Sequence, residues 1–273
     1  MALALVFLLA LGLMAALALQ PAWRAHRRRQ LQARPMPASW RRILRHRVPM
    51  VQRLPADLQL RLKQLMQVFL AEKQFIGCAG QPITDEVRVT IAAQACLPLL
   101  GAPRDFYPAL RQILVYPGAF AVQRVHPGTA GVLMEQRQVL AGESWSQGQV
   151  VLSWQDVLEG AAQPEDGRNV VVHEFAHQLD QVKGFANGAP LLGSRAAYRR
   201  WSATMQQQFD DLRARVDAGI PDILSDYGAT DPAEFFAVAS EVFFEQPEQL
   251  AWARPALYQL LADYYKLDPL SWR

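Results

Sequence analysis

The chain has 273 residues, of which 51% are hydrophobic and 19% charged, so it can bury one sizeable core. All 25 acidic residues follow position 53, whereas residues 1–53 carry ten arginines, so a basic segment precedes a mildly acidic body. This distribution argues against a nucleic-acid binder, which would carry a basic stripe across its fold. Cys78 and Cys96 lie in apolar, helix-like sequence and predict buried thiols rather than a disulfide framework.

The chain opens with an uncharged apolar run at residues 2–19, close to the roughly 20 residues that cross a bilayer as a helix. Arginines follow at once, and the positive-inside rule keeps such clusters in the cytoplasm. The sequence therefore predicts a single-pass protein of the inner membrane with a cytoplasmic body. Two alternatives stay open, a cleaved export signal and an apolar arm that does not span, which would leave the protein cytoplasmic. The expected parts are a transmembrane anchor at 1–20, a basic juxtamembrane linker at 21–54 and the main domain at 55–273.

The main domain begins with leucines at helix spacing after Pro55, and Thr84 is expected to cap a second helix that ends near Leu100. Sequence typical of β-strands follows at 113–116 and 150–154. Because helices, strands and then helices are segregated along the chain, the sequence predicts an α+β domain with a small sheet. The later helices are expected at 168–182, 194–217, 232–245 and 254–265.

One short motif carries specific chemistry. His173 and His177 are four residues apart, so on a helix they lie one turn apart on the same face. Two imidazoles in that relationship can bind one tetrahedral Zn²⁺, and Glu174 beside the first can reach a water on the metal. Because burying two histidines and a carboxylate without partners is costly, this pattern favours a catalytic zinc site over a purely structural helix.

A catalytic zinc needs a third protein ligand. The spacing that places it ten residues after the first histidine falls on Lys183, which cannot serve, so a carboxylate from a later helix is expected. Glu234 and Glu241 are seven residues apart and share one helix face, and the residues alone do not decide between them. Glu234 also has a structural interpretation, as the capping-box partner of Asp231 at the start of a helix.

The motifs HEFAHQLD, GAPLL and Tyr227 followed by DPAEFFAVASEVFF resemble the zinc peptidase family of Mlc titration factor A. The resemblance extends to TDEVRVTIAAQACLPLLG and GESWSQGQVVLSW and covers roughly residues 55–265. A more distant similarity is to the catalytic domain of anthrax lethal factor, which shares the HExxHxxD run and a Tyr seven residues before a ligand Glu.

The resemblance implies a zincin-like domain with active-site helices and a gluzincin-type site. Glu234 would be the third zinc ligand and Tyr227 the active-site tyrosine, which leaves Glu241 to support a ligand or pack in the core. Asp180, seven residues after His173 and on the same helix face, is expected to orient a ligand imidazole, or else to cap the helix end.

The expected activity is hydrolysis of peptide bonds, either as an endopeptidase or as an aminopeptidase. Glu174 would act as general base for the attacking water, and Tyr227 would donate a hydrogen bond to the oxyanion. The strand at 150–154 is expected either at the sheet edge, where it would bind an extended peptide, or in the interior.

The alternative function is a membrane-tethered protein that binds a transcriptional regulator and has weak peptidase activity. The expected partners are thus a peptide or protein substrate, that regulator and the membrane, but no nucleic acid.

Overall fold

The computed structural model describes residues 2–102, 105–127, 133–140, 142–145 and 148–272. Its α-helices are α1 (Ala2–Ala33), α2 (Ala38–Arg47), α3 (Met50–Arg53), α4 (Ala56–Glu72), α5 (Asp85–Ala95), α6 (Trp154–Ala162), α7 (Val170–Asp180), α8 (Arg195–Asp217), α9 (Pro232–Glu245), α10 (Pro247–Ala253) and α11 (Pro255–Tyr265). Its strands are β1 (Gln74–Gly77), β2 (Gln112–Tyr116), β3 (Phe120–Pro127), β4 (Leu133–Leu140), β5 (Gly142–Trp145) and β6 (Gln149–Ser153).

The central sheet has the strand order β1-β2-β6-β5. β1, β2 and β6 run parallel, with Ile113 paired to Phe75 on one side and to Val150 on the other. β5 pairs antiparallel with β6 and forms the edge of the sheet, whereas β3 and β4 form a separate two-stranded hairpin. The strand expected at 150–154 is thus an interior strand, and β5 takes the edge position next to α7.

Helices outnumber strands in the described part of the chain, and they are interleaved with the sheet rather than segregated from it. Parallel neighbours cannot be joined by a hairpin and need a crossover connection, which the segment containing α5 provides between β1 and β2. The expected fold class, a zincin-like α+β domain behind a membrane-spanning helix, is therefore wrong. The protein is mostly helical, with a small sheet whose three parallel strands carry one antiparallel edge strand.

The expected membrane anchor is part of α1. Among the described helices, none is long and apolar enough to cross a membrane, so the predicted anchor is wrong and the inner-membrane placement that depended on it is not supported. α1 continues unbroken from the apolar run into the arginine-rich segment, and that segment packs on α4 of the main domain. There Arg28 donates hydrogen bonds to Glu72 of α4, at 2.7 and 2.8 Å, and to Asp105 at 2.7 Å.

Side chains between residues 36 and 54 also enter the core, since Leu44, Val48 and Leu54 are buried. The arginine-rich part of α1 packs on α4, and α2 packs on α5. The segment that the sequence marks as a basic linker thus contributes apolar surface to the same hydrophobic core as the rest of the chain.

The core that positions the site lies between α7 and α9, which pack against each other. Phe175 of α7 is fully buried and its ring centroid lies 4.7 Å from that of Tyr107. On α9, Phe236 is fully buried and packs edge-to-face on Trp201 of α8, at 5.6 Å between centroids. Burying such a ring stabilises the fold by about 1.5–3 kcal/mol, so these aromatics hold each helix in the core.

Candidate metal centre

Helix α7 presents the two histidines of the motif. It begins at its expected start because Asn169 caps it, with the Asn169 side-chain oxygen accepting a hydrogen bond from the Val172 N–H at 3.0 Å. One helical turn separates His173 from His177, and their ring centroids are 4.9 Å apart. The Nε2 atoms of the two imidazoles lie 3.2 Å apart, so both point to the same spot in front of the helix.

Helix α9 brings a carboxylate to that spot. Asp231 caps α9 by accepting hydrogen bonds from the N–H groups of Ala233 and Glu234, at 2.8 and 3.0 Å, and Pro232 occupies the first turn. The Glu234 side chain does not fold back onto the cap. Its Oε2 atom lies 3.0 Å from His173 Nε2 and 3.4 Å from His177 Nε2.

The three donor atoms form a triangle whose edges are 3.0, 3.2 and 3.4 Å. Ligands at the Zn–N and Zn–O distances of about 2.0–2.1 Å in a tetrahedral site lie about 3.4 Å from one another, so this triangle fits one face of such a site. Among the described residues, His173, His177 and Glu234 are the one group of His, Cys, Asp or Glu side chains close enough to hold a metal ion. The residues present therefore fit a metal with two imidazoles, one carboxylate and a further open position.

Glu241 lies on the other side of the His173 imidazole. His173 Nδ1 donates to Glu241 Oε1 at 2.7 Å, and Glu241 Oε2 accepts the Asn169 N–H at 2.6 Å. A carboxylate on Nδ1 leaves the Nε2 lone pair directed at the metal position and holds the ring plane fixed. Glu234 and Glu241 thus contact the same imidazole through its two nitrogens.

Glu174 is buried beside this triangle and lines a cavity of about 480 Å³ together with His173, Tyr227 and Gly142. Burial raises the pKa of Glu174 to about 7, against the opposing effect of the two histidines. Its Oε2 atom is buried and accepts no hydrogen bond from the described residues.

In the triangle, the Glu234 carboxylate and the His173 imidazole each shift the pKa of the other toward its charged form. Burial alone would raise the pKa of Glu234, but hydrogen bonds and charge interactions with His173 and His177 hold it far below its ordinary value. Burial opposes protonation of His173, yet Glu241 and Glu234 raise its pKa well above the ordinary value for histidine. A strongly anionic environment around two imidazoles is the environment that attracts a divalent cation.

Tyr227 comes from a short 3-10 helix, Asp226–Ala229, which is capped by Ser225 and precedes α9. Its ring centroid lies 5.9 Å from that of His173, and 44% of the residue is exposed. The structure therefore brings Tyr227 to the exposed rim of the cavity.

Asp180 does not reach an imidazole through any described hydrogen bond. Its two carboxylate oxygens accept the N–H groups of Asn187, Gly188 and Ala189, at 2.7, 2.6 and 3.0 Å. The Nδ1 atom of His177 has no hydrogen-bond partner among the described residues. Of the two interpretations of Asp180, the contacts favour the one at the helix end.

Sequence reasoning missed four residues around the site. Gly142 of β5 faces Glu174, Asn169 caps α7, Glu245 accepts the Asn169 side-chain N–H at 2.9 Å, and Trp201 binds the loop that Asp180 holds. Asn169 had a readable signal, because Asn just before an apolar helix is a usual cap. The contacts of the other three are with residues 13 to 76 positions away in the sequence, so no local pattern indicates them.

A family model described as glucose-regulated metallo-peptidase M90 matches residues 22–266. The uncharacterized protein slr2042 of Synechocystis sp. is 42% identical over 98% of each chain. Mlc titration factor A of Klebsiella pneumoniae subsp. pneumoniae is 35% identical over 83% of this chain and 85% of the relative. The protein of that name from Escherichia fergusonii is 34% identical over 82% and 84%.

These matches agree with the motif-level resemblance and extend it into the arginine-rich part of α1. They cover the helices that carry His173, His177 and Glu234. The resemblance to the family of Mlc titration factor A is therefore confirmed, and the chain belongs to the glucose-regulated metallo-peptidase M90 family.

Proposed function

We propose that this metallopeptidase-family protein is a zinc-dependent peptidase whose ligands are His173, His177 and Glu234. The observation that carries the proposal is the triangle of donor atoms, with edges of 3.0–3.4 Å, beside the buried carboxylate of Glu174. Zinc bound there would act as a Lewis acid on the scissile carbonyl and would make a water more acidic.

The remaining steps fall to side chains of this chain. Glu174 takes the proton of the attacking water and passes it to the leaving amine, and its pKa of about 7 suits both roles at neutral pH. Tyr227 donates a hydrogen bond from the cavity rim to the oxygen on which negative charge develops. Glu241 keeps His173 in the orientation and tautomer that the metal requires.

The peptide substrate would lie along β5. This strand is at the edge of the sheet and packs against α7, so an extended peptide can pair with its backbone next to Glu174. The cavity is also lined by Asp156, Glu159 and Asp166, which would favour the amine of a free amino terminus. We therefore propose aminopeptidase activity as the finer specificity, to be tested with one peptide series in free and N-acetylated form.

The decisive variant is Glu174→Gln, which preserves size and leaves the ligand triangle intact. We expect hydrolysis of model peptides to fall by about 10²–10⁴-fold while zinc content, measured by atomic absorption, stays at the wild-type value. Glu248→Gln, at an exposed position of α10, is the matched control and should keep full turnover. Wild-type turnover in Glu174→Gln would overturn the proposed mechanism.

A second candidate function rests on the relatives named Mlc titration factor A. By that name they titrate Mlc, and this chain would bind a regulator of the same kind, with hydrolysis as a weak side activity. A pull-down with purified Mlc distinguishes the two candidates. Retention of Mlc by a variant that lacks both His173 and His177, together with negligible wild-type peptidase activity, would favour the regulator-binding function.

A further inference from the structure

The loop at residues 184–193, between α7 and α8, is bound from both sides at Gly188. The N–H of Gly188 donates to Asp180 Oδ2 at 2.6 Å, and its carbonyl oxygen accepts the Trp201 indole N–H at 2.8 Å. Asp180 and Trp201 are 3% and 2% exposed, so these bonds are shielded from water and hold the glycine firmly.

Gly188 lies directly on the start of α9. Its φ of +76° lies in the left-handed region, and a methyl group added there would overlap the carbonyl oxygen of Pro232. Pro232 is the first residue of α9 and stands two positions before Glu234. The loop therefore contacts the helical turn that carries Glu234, the carboxylate of the triangle.

The other end of this connection is the end of α7. Asp180 is three residues after His177 on the same helix, and it holds the loop through three backbone N–H groups. A shift of the loop would thus change the distance between His177 and Glu234, whose facing atoms are 3.4 Å apart. A metal with bonds of about 2.0–2.1 Å tolerates little change in that spacing.

We propose that Asp180, Gly188 and Trp201 form a clasp that sets the spacing between α7 and the first turn of α9, and so act as positioning residues for metal binding. The proposal rests on the proposed metal site. In this proposal Asp180 acts on the metal centre indirectly. It holds the backbone of the loop, the loop contacts Pro232, and Asp180 itself makes no hydrogen bond to an imidazole among the described residues.

The test measures the affinity of the full chain for Zn²⁺ alone, by competition with a chromogenic chelator. Gly188→Ala should weaken zinc binding by about 10–100-fold, the range expected when the support of a metal ligand is lost. Gly219→Ala is the matched control, because Gly219 also has a positive φ, +65°, but a methyl group there would meet nothing within 4 Å. Gly219→Ala should show the smaller loss of thermal stability that positive φ alone causes, and unchanged zinc affinity.

Trp201→Phe covers the case in which Gly188→Ala does not fold. It keeps an aromatic ring against Phe236 and removes the indole N–H bond to Gly188 together with part of the buried ring. If Trp201→Phe binds zinc more weakly than Gly219→Ala does, and the two zinc-free chains are equally stable, the result supports the clasp. Zinc affinity equal to that of the wild type in Trp201→Phe overturns it. A wild-type chain that binds no Zn²⁺ overturns the proposed metal site itself, so the two failures are distinguishable.

Discussion

Gly142 of the edge strand lies directly against the general-base candidate Glu174, since a methyl group added at Gly142 would stand 2.6 Å from Glu174 Oε1. Gly142→Ala should therefore push the carboxylate out of place while leaving the three ligand side chains alone. We expect kcat for peptide hydrolysis to fall by about 10²-fold, the usual effect of a misplacement near 1 Å, with unchanged zinc content.

Gly118→Ala is the control for this prediction, because its added methyl group would meet Gln155 at an ordinary contact distance of 3.6 Å. Both variants are assayed by steady-state kinetics on one peptide substrate. If Gly142→Ala turns over as fast as Gly118→Ala, the carboxylate of Glu174 does not need its present position.

Tyr227 is expected to act on the transition state rather than on the metal. Tyr227→Phe removes one hydroxyl group from a residue whose ring packs beside His173 at 5.9 Å. We expect kcat to fall by about 10²–10³-fold, with little change in KM or zinc affinity, as for the loss of an oxyanion donor. Tyr258→Phe, on α11, removes a hydroxyl that donates to Asp268 at 2.5 Å, and this variant should keep full activity. Equal kcat in the two variants would remove Tyr227 from the mechanism.

Much of the site could be predicted because its signals are local. The spacing of His173 and His177 requires only a helix, and the caps Thr84 and Asp231 are where the sequence predicts them. The choice between Glu234 and Glu241 could not be made from the residues. The structure explains why, since both carboxylates contact the same imidazole, one at each nitrogen, and so both must share one helix face.

The fold was harder to predict because strand pairing depends on distant segments. Nothing in the sequence of β6 shows that it lies between β2 and β5, and the parallel pairing of β1 with β2 follows from the crossover through α5. Asp180 has the same difficulty. Its helix position places it on the histidine face, but three N–H groups seven to nine residues later bind its carboxylate instead.

Glu241 should control how tightly the metal is held. Glu241→Gln replaces the carboxylate behind His173 with an amide that cannot accept both the imidazole N–H and the Asn169 N–H. We expect zinc affinity to weaken by about 10–100-fold, measured by chelator competition. Glu245→Gln, four residues later on α9, is the control and should bind zinc as the wild type does. Equal affinities would mean that Glu241 only packs in the core.

The stability of the helical part depends on a buried ion pair far from the metal centre. Arg254 is 5% exposed and donates to Asp222 at 2.7 and 3.1 Å and to Asp211 at 2.8 Å. Arg254→Met removes one of the two arginines that pair with the buried Asp222 and leaves Arg215, 2.8 Å away, as the other. The free energy of unfolding should therefore fall by about 1–3 kcal/mol in urea titrations. Arg200→Met breaks an exposed pair with Asp263 and should change it by about 1 kcal/mol or less. A loss of similar size in both variants would contradict this assignment.

Glu245 should make the protein less stable as the pH rises. Burial raises the pKa of Glu245 to about 9, compared with an ordinary value of 4.5, so the folded chain keeps a proton that the unfolded chain releases. The stability contributed by this group is fully present below pH 4.5 and is lost as the pH rises through about 9. Glu245→Gln does not titrate and can still accept the Asn169 side-chain N–H.

We therefore expect the free energy of unfolding of Glu245→Gln, relative to the wild type, to increase steadily from pH 5 to pH 9. The gain comes from the proton that the folded wild type retains, and each unit by which its pKa is raised corresponds to about 1.4 kcal/mol, so the gain should reach several kcal/mol at pH 9. Glu248→Gln, exposed on α10, should follow the wild-type pH dependence throughout. Parallel stability curves for the wild type and Glu245→Gln would mean that Glu245 is ionised in the folded chain. Its carboxylate would then need a compensating donor in addition to the 2.9 Å bond from Asn169.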